Sequence, residues 1–142
     1  MLPNPAPQPQ HTILIVEDEI FVAMDIERIL GEAGYHVIAI AADQREAMSC
    51  GQAAGIAFVD INLRDGPTGP AIACELAARH GTRVVYVTAN PLQIAPLAET
   101  AIGYIRKPFS DAAILAAAAI AIEGQTAADL AAEGVTLFSS GS

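Results

Sequence analysis

The sequence predicts an α/β fold in which a parallel sheet is covered by helices on both faces. Short β-branched segments alternate with longer helical patterns along most of the chain, and this alternation is typical of parallel strands joined by crossover helices. The first strand candidate, Thr12–Val16 (TILIV), shows no polar–apolar alternation, which indicates burial on both faces. At 142 residues the chain is long enough for one core, so we expect one domain.

Each strand candidate leads into a helix candidate that has its own start or stop signal. Apolar residues at helical spacing follow Val22, and Gly34 is a plausible stop. The second helix begins at Asp43, with Glu46 three residues later as in a capping box. A third helix ends at Gly81. The predicted strands are Thr12–Val16, His36–Ile40, Ile56–Asp60, Arg83–Val87 and Gly103–Ile105.

The segment after the fourth strand is the weakest helix candidate. Pro91 can occupy a first-turn position, but Pro96 would remove a hydrogen bond and clash with the preceding turn. We therefore expect a short or kinked helix here. The last helix of the domain should be capped by Ser110 and run to about Ile122.

Five strands and five flanking helices fit a flavodoxin-like doubly wound sheet with strand order 2-1-3-4-5. We expect a flexible Pro-rich tail over residues 1–11, the folded domain over 12–123 and a C-terminal extension over 124–142. The extension has a possible short helix across Ala127–Ala132 and then a flexible end. In this strand order the first and third strands are neighbours, so the loops that leave their carboxyl ends line one crevice.

Charge and hydropathy exclude several classes of function. The formal net charge of −9 would repel nucleic-acid phosphates and anionic lipids. The longest apolar run, Ala112–Ile122, is shorter than the roughly 20 residues that cross a bilayer. The first ten residues, MLPNPAPQPQ, lack the basic and apolar segments of a targeting signal. We expect a cytoplasmic protein that binds neither nucleic acid directly nor membranes.

Polar side chains occupy the predicted ends of four strands. Glu17 and Asp18 follow the first strand, and Asp60 ends the third. Three carboxylates in one crevice repel one another, which favours a raised pKa or a bound hard cation such as Mg²⁺. The alternative for the acidic run at Glu17 is helix capping with favourable charge at a helix N-terminus. Thr88 and Lys107 follow the fourth and fifth strands, and with Mg²⁺ at Asp18 they would match the needs of a phosphoryl group on Asp60.

Four motifs in this order resemble the signature of response-regulator receiver domains. They are IVEDE, FVDINL, YVTAN and YIRKPF, and the resemblance spans about Thr12 to Glu123. It implies a stand-alone phosphoacceptor of a two-component or phosphorelay system, with 12–123 as the receiver domain. Asp60 would take a phosphoryl group from a sensor histidine kinase or a histidine phosphotransfer protein. The implied role is signalling rather than enzymatic, with only autocatalytic phosphotransfer and slow self-dephosphorylation.

The resemblance also implies a role for each residue of the site. Asp18 and Asp60 would bind Mg²⁺ or Mn²⁺ through their side chains and Asn62 through its backbone carbonyl, with Glu17 acting through a water. Lys107 would pair with a phosphoryl oxygen, and the Lys107–Pro108 peptide would be cis. The remaining implied roles are switching for Thr88 and Tyr104, and tuning of dephosphorylation for Asn62 and Asn90.

Output and oligomeric state are less constrained. About 20 residues follow Ile122, too few for a DNA-binding or catalytic domain, so we expect a downstream protein target. The receiver would be a monomer or a phosphorylation-dependent homodimer. The prolines between 91 and 96 loosely resemble receivers of bacterial stress signalling that use atypical switching surfaces.

Three alternative functions are weighed against a phosphoacceptor. A degenerate receiver would act as a phosphorylation-independent docking module, but Asp18, Asp60, Thr88 and Lys107 are all present. An aspartate-nucleophile phosphatase needs a second Asp two residues after its nucleophile, where this chain has Ile20 or Asn62. A flavodoxin-like electron carrier needs a phosphate-binding first loop, which the acidic run after Val16 would oppose.

Overall fold

A computed structural model describes residues 11–90, 101–123 and 134–138. It contains one sheet with the strand order β2-β1-β3-β4-β5-β6. The strands are β1 (Thr12–Val16), β2 (His36–Ala41), β3 (Ile56–Val59), β4 (Arg83–Thr88), β5 (Gly103–Arg106) and β6 (Val135–Leu137). The helices in the described ranges are α1 (Ile20–Glu32), α2 (Gln44–Cys50), α3 (Gly69–His80) and α4 (Asp111–Glu123), with a 3₁₀ turn at Gly51–Ala53.

The sheet confirms the predicted α/β class and the order 2-1-3-4-5, in which β1 to β5 pair in parallel. The number of strands is a correction, because β6 adds to β5 in antiparallel orientation. The three residues of β6 belong to the C-terminal extension, so part of this segment joins the sheet. Val135 and Thr136 have good strand propensity, and β6 covers an otherwise open sheet edge. The helix expected after β4 and the possible helix at Ala127–Ala132 lie outside the described residues.

Apolar side chains on the two faces of the sheet form two layers. Alternate strand residues such as Ile15 and Phe58 pack with α1 and α4, in what we name the α1/α4 layer. Their neighbours Val16 and Val59 pack with α2 and α3, in the α2/α3 layer. Burial on both faces explains why the strands lack alternation in sequence. None of the helices in residues 11–90 and 101–123 has both the length and the apolar character that a membrane span requires.

The expected end signals of the helices are present in the structure. The Asp43 side chain accepts a hydrogen bond from the Glu46 amide at 2.9 Å, and the Glu46 carboxylate accepts one from the Ala42 amide at 2.9 Å. Gly81 ends α3 with a φ of 67°, a conformation that favours glycine. The Ser110 hydroxyl accepts a hydrogen bond from the Ala113 amide and caps α4.

Candidate functional site

Backbone hydrogen bonds fix the polar residues that follow the parallel strands. The Glu17 amide donates to the Ala41 carbonyl at 2.8 Å, which continues the β1–β2 pairing by one residue. The Asp60 amide likewise donates to the Val16 carbonyl at 2.9 Å. Parallel strands end at one edge of the sheet, so these residues meet there as the sequence predicts.

Three carboxylates gather at this edge. Glu17, Asp18 and Asp60 each offer an oxygen, and these oxygens lie within 4.8 Å of one another. Glu17 and Asp60 are buried, whereas Asp18 is exposed. Solvent therefore reaches the acidic cluster mainly at Asp18.

Lys107 connects the two buried carboxylates. Its Nζ lies 2.7 Å from Oε1 of Glu17 and 2.9 Å from Oδ2 of Asp60. The exposed fractions of the three side chains are 15% for Lys107, 2% for Glu17 and 10% for Asp60. With Asp18 included, these four groups carry a formal charge of −2 when all are ionised.

The pKa values reflect this excess of buried negative charge. Burial raises the pKa of Glu17 to about 7, with a further rise from the Asp60 charge and a partial offset from the hydrogen bond to Lys107. Burial lowers the pKa of Lys107, but its hydrogen bonds to Glu17 and Asp60 outweigh that effect, so its pKa is raised. Lys107 alone therefore does not neutralise the negative charge of the three carboxylates.

The cluster fits a small divalent cation. Carboxylate and carbonyl oxygens are the ligands that Mg²⁺ and Mn²⁺ prefer, and a hard cation relieves repulsion among carboxylates. The Asn62 amide donates to Oδ1 of Asp60 at 3.3 Å, which holds the backbone of Asn62 beside the cluster. The acidic cluster is thus present, and the donor set that the resemblance implies for a metal stays a prediction.

The remaining predicted site residues lie on β4, β5 and the turns beyond them. Thr88 is fully buried at the end of β4, and its Oγ1 accepts a hydrogen bond from the Asn90 amide at 3.1 Å. The Lys107 amide donates to the Thr88 carbonyl at 2.8 Å, so the two strand ends are joined. Tyr104 is half-buried on β5 and packs against Phe138, with ring centroids 5.9 Å apart. The expected cis peptide between Lys107 and Pro108 is present.

Two features beside the site escaped the sequence analysis. A Cβ on Gly69 would lie 2.2 Å from the Asp60 carbonyl oxygen and 2.7 Å from Cα of Ile61, so only glycine lets α3 start against the Asp60 backbone. The second feature is Phe138, which packs on Tyr104. The apolar run at 135–138 was its only sequence signal.

Comparisons with known proteins agree with this geometry. The family model for the response regulator receiver domain matches residues 13–119. The phyllosphere-induced regulator PhyR of Methylorubrum extorquens is 34% identical over 82 residues, which cover 56% of this chain and 31% of that protein. The transcriptional regulatory protein PdtaR of Mycobacterium tuberculosis is 29% identical over 117 residues, covering 78% of this chain and 56% of that protein.

A solved structure shows the same fold. It is a variant of the anti-anti-sigma factor PhyR from Bartonella quintana, with a TM-score of 0.63 and 26% identity, covering 78% of this chain and 46% of that one. This chain spans only 31% and 56% of the lengths of the two curated relatives. The family match covers most of the chain and includes Glu17, Asp18, Asp60, Thr88 and Lys107. The chain therefore belongs to the response-regulator receiver family, whose members act in signalling rather than as enzymes.

Proposed function

We propose that this receiver is a phosphoacceptor in which Asp60 takes a phosphoryl group from the phosphohistidine of a sensor histidine kinase or a histidine phosphotransfer protein. The observation that carries the proposal is the position of the Asp60 carboxylate. It is buried at the sheet edge, held by Lys107 at 2.9 Å and clustered with the carboxylates of Glu17 and Asp18. This combination of nucleophile, cation and acidic cluster suits phosphoryl transfer.

Asp60 and Lys107 have different roles in the proposed transfer. An oxygen of Asp60 attacks phosphorus, the bond from phosphorus to the histidine nitrogen breaks, and an acyl phosphate results. Lys107 then pairs with a phosphoryl oxygen in place of the Asp60 carboxylate. The contacts of Asp60 with Lys107 and with the Asn62 amide support the roles given to Asp60 and Lys107.

A divalent cation, Mg²⁺ or Mn²⁺, would be held by Asp18, Asp60 and the Asn62 backbone carbonyl, with Glu17 acting through a water. When bound, it would supply positive charge that compensates the phosphoryl oxygens. The charge of −2 on the four clustered side chains supports this assignment. Because Glu17 is buried beside Lys107, its carboxylate would also orient the Lys107 ammonium.

We assign the response to phosphorylation to Thr88 and Tyr104. Thr88 ends β4 beside the Lys107 backbone, and its hydroxyl would exchange its contact with Asn90 for one with a phosphoryl oxygen. Tyr104 lies on β5, three residues before Lys107. Asn62 and Asn90, each two residues beyond Asp60 and Thr88, would tune the access of the hydrolytic water.

The partner that donates the phosphoryl group would contact α1. Its first turns expose three large apolar side chains: Ile20 at 55%, Phe21 at 83% and Met24 at 51%. Phe21 also lines a groove with Lys107 and Phe109 beside the acidic cluster. Exposed apolar patches of this kind are typical of protein interfaces.

The downstream target would be a protein. The net charge of −9 opposes contact with nucleic acid. The similar Bartonella protein is named an anti-anti-sigma factor, so we place this receiver in a signalling pathway of that class. A degenerate docking module remains the alternative, and it requires no phosphorylation of Asp60.

Phosphorylation is tested by incubating the full chain with Mg²⁺ and acetyl phosphate and then measuring its intact mass. The wild type should gain one phosphoryl group, and the gain should be absent in Asp60→Asn and after chelation of the metal. Asp111→Asn is a matched control, because Asp111 is an exposed aspartate at the start of α4. An equal mass gain in Asp60→Asn would refute the assignment, and a metal-independent gain would favour the alternatives.

A further inference from the structure

The sixth strand covers the outer edge of β5. Ile105 pairs with Val135 and Gly103 with Leu137, and the Phe138 amide donates to the Ile102 carbonyl at 3.0 Å. An uncovered edge strand presents a row of unpaired backbone groups that can accept another strand. In this chain its own C-terminal segment occupies that place.

The side chains of Val135–Phe138, which are β6 and the residue after it, reach both apolar layers. Val135 is 3% exposed and packs in the α1/α4 layer with Leu137. Phe138 packs in the α2/α3 layer with Tyr104, the residue to which we assign switching. Thr136 lies opposite Tyr104 in the pairing. The position of the Tyr104 ring and the docking of β6 are therefore linked by direct contact.

Gly103 provides the space that β6 needs. A Cβ at Gly103 would lie 2.3 Å from the Thr136 carbonyl oxygen and 3.1 Å from Cα of Leu137. These atoms, with the Thr136 carbonyl carbon, are the three nearest that the Cβ would meet. An alanine at this position would thus act first against the docking of β6.

The hold of β6 on the sheet is limited. The strand has three residues, and among Val135–Phe138 only Val135 is buried, while Leu137 and Phe138 are half-buried. Short edge elements with little burial open locally at a small cost in free energy. A strand held so weakly would respond to a modest change at Tyr104, because Tyr104 contacts Phe138.

We propose that β6 is a displaceable strand that blocks the β5 edge of the unphosphorylated receiver and leaves it when Asp60 is phosphorylated. Phosphorylation would act on β6 through the contact between Tyr104 and Phe138. Because the switching role of Tyr104 is part of the proposed function, this inference rests on that function. The vacated edge would accept an extended segment of a target protein with apolar side chains on both faces. The basal occupant is the segment Val135–Phe138 of this chain.

The docking of β6 is tested by amide hydrogen exchange of the full chain, read by NMR with and without Mg²⁺ and acetyl phosphate. Phosphorylation should accelerate exchange at residues 135–138 by about tenfold, as expected for a local opening. Asp60→Asn should show no acceleration. Gly103→Ala and Phe138→Ala should exchange rapidly at 135–138 even without the phosphodonor.

Intact mass measured on the same samples separates the possible failures. A wild type that gains the phosphoryl group without faster exchange overturns this inference and leaves the proposed function standing. A wild type that gains none overturns the proposed function and the trigger together. Wild-type exchange rates in both Gly103→Ala and Phe138→Ala overturn the docking contacts themselves.

A peptide of sequence VTLF, flanked by the chain's own neighbouring residues, probes the vacated edge. It should bind the phosphorylated chain at least about tenfold more tightly than the unphosphorylated chain. Gly103→Ala should bind it poorly in both states, because the added Cβ would meet any strand at this edge. Equal affinity for the two states of the wild type would overturn the competition between β6 and a partner strand.

Discussion

Two charged clusters in this receiver carry the same set of charges but differ in burial. In each, one cation contacts two carboxylates: Lys107 lies between Glu17 and Asp60, and Arg64 contacts Asp43 and Glu46. We name them the buried cluster and the exposed cluster. The side chain of Lys107 is 15% exposed and that of Arg64 is 58% exposed.

The environment reverses the effect on the carboxylates. In the exposed cluster the pKa of Asp43 is lowered by the hydrogen bond from the Glu46 amide and by Arg64, so the folded state favours the ionised form of Asp43. In the buried cluster the pKa of Glu17 is raised to about 7, mainly by burial. The exposed cluster caps α2, whereas in the buried cluster the ionised form of Glu17 costs stability although the charged form of Lys107 is favoured. Charged groups that are kept at such a cost are typical of functional sites.

The largest expected difference between the clusters follows from removing each cation. Lys107→Met should lower the free energy of unfolding by roughly 3 kcal/mol at about pH 8 without divalent metal, because it leaves buried carboxylates unpaired. Urea denaturation measures this change, with Arg64→Met as the matched control from the exposed cluster. Equal losses in the two variants would break the comparison.

A smaller effect of opposite sign is expected for Glu17→Gln. The Glu17 pKa rises from 4.5 in the unfolded chain to about 7 in the folded chain, so the wild type loses stability as the pH increases between these values. Glu17→Gln removes this loss and should raise the free energy of unfolding by roughly 1–3 kcal/mol at about pH 8, with little gain near pH 4.5.

Glu19→Gln provides the control for that measurement, since Glu19 is exposed on the same loop. At about pH 8 its gain in free energy of unfolding should be smaller than that of Glu17→Gln, because it removes a charge from an exposed side chain. Should Glu17→Gln destabilise the chain at every pH, the hydrogen bond to Lys107 would outweigh burial, and the buried cluster would be a stabilising one.

The buried cluster could be predicted from the sequence because strand ends carry a strong signal. Continuous apolar strands are buried on both faces, so a carboxylate or an ammonium directly after such a strand must lie at the sheet edge. The sequence does not distinguish Glu17 from Asp18 in this way. Consecutive residues point to opposite sides of an extended backbone, and the structure buries Glu17 and exposes Asp18.

The pairing of β6 with β5 could not be predicted, because the sequence signal is short and the pairing depends on tertiary contacts. Val135–Phe138 has four residues, too few to establish a period. The need for glycine at Gly103 exists only once Thr136 lies beside it. Gly69 is a similar case, since its contact with the Asp60 backbone depends on how α3 packs. Local patterns determine the elements, whereas such contacts arise from their assembly.

A modest effect is expected for removal of the helix cap in the exposed cluster. Asp43→Ala should destabilise the chain, because the Glu46 amide loses its acceptor and Arg64 loses its main partner. The shift of the urea midpoint should be less than about half of that in Lys107→Met. Asp43→Asn, which keeps a capping oxygen, should recover most of the loss. A larger loss than in Lys107→Met would show that the exposed cluster is the main electrostatic support of the fold.

The smallest effect is expected for the ion pair between Arg64 and Asp43. Although two nitrogens of Arg64 lie 2.9 and 2.7 Å from Oδ2 of Asp43, solvent and salt screen an exposed pair. A double-mutant cycle of Arg64→Met and Asp43→Asn should therefore give a coupling close to the experimental error, and it should vanish at about 1 M salt. A matching cycle of Lys107→Met and Glu17→Gln should give a coupling that persists in salt. If the coupling in the exposed cluster also persisted at about 1 M salt, burial would not explain the difference between the two clusters. The geometry of the Arg64 contact, which joins the β3–α3 loop to α2, would then be the explanation.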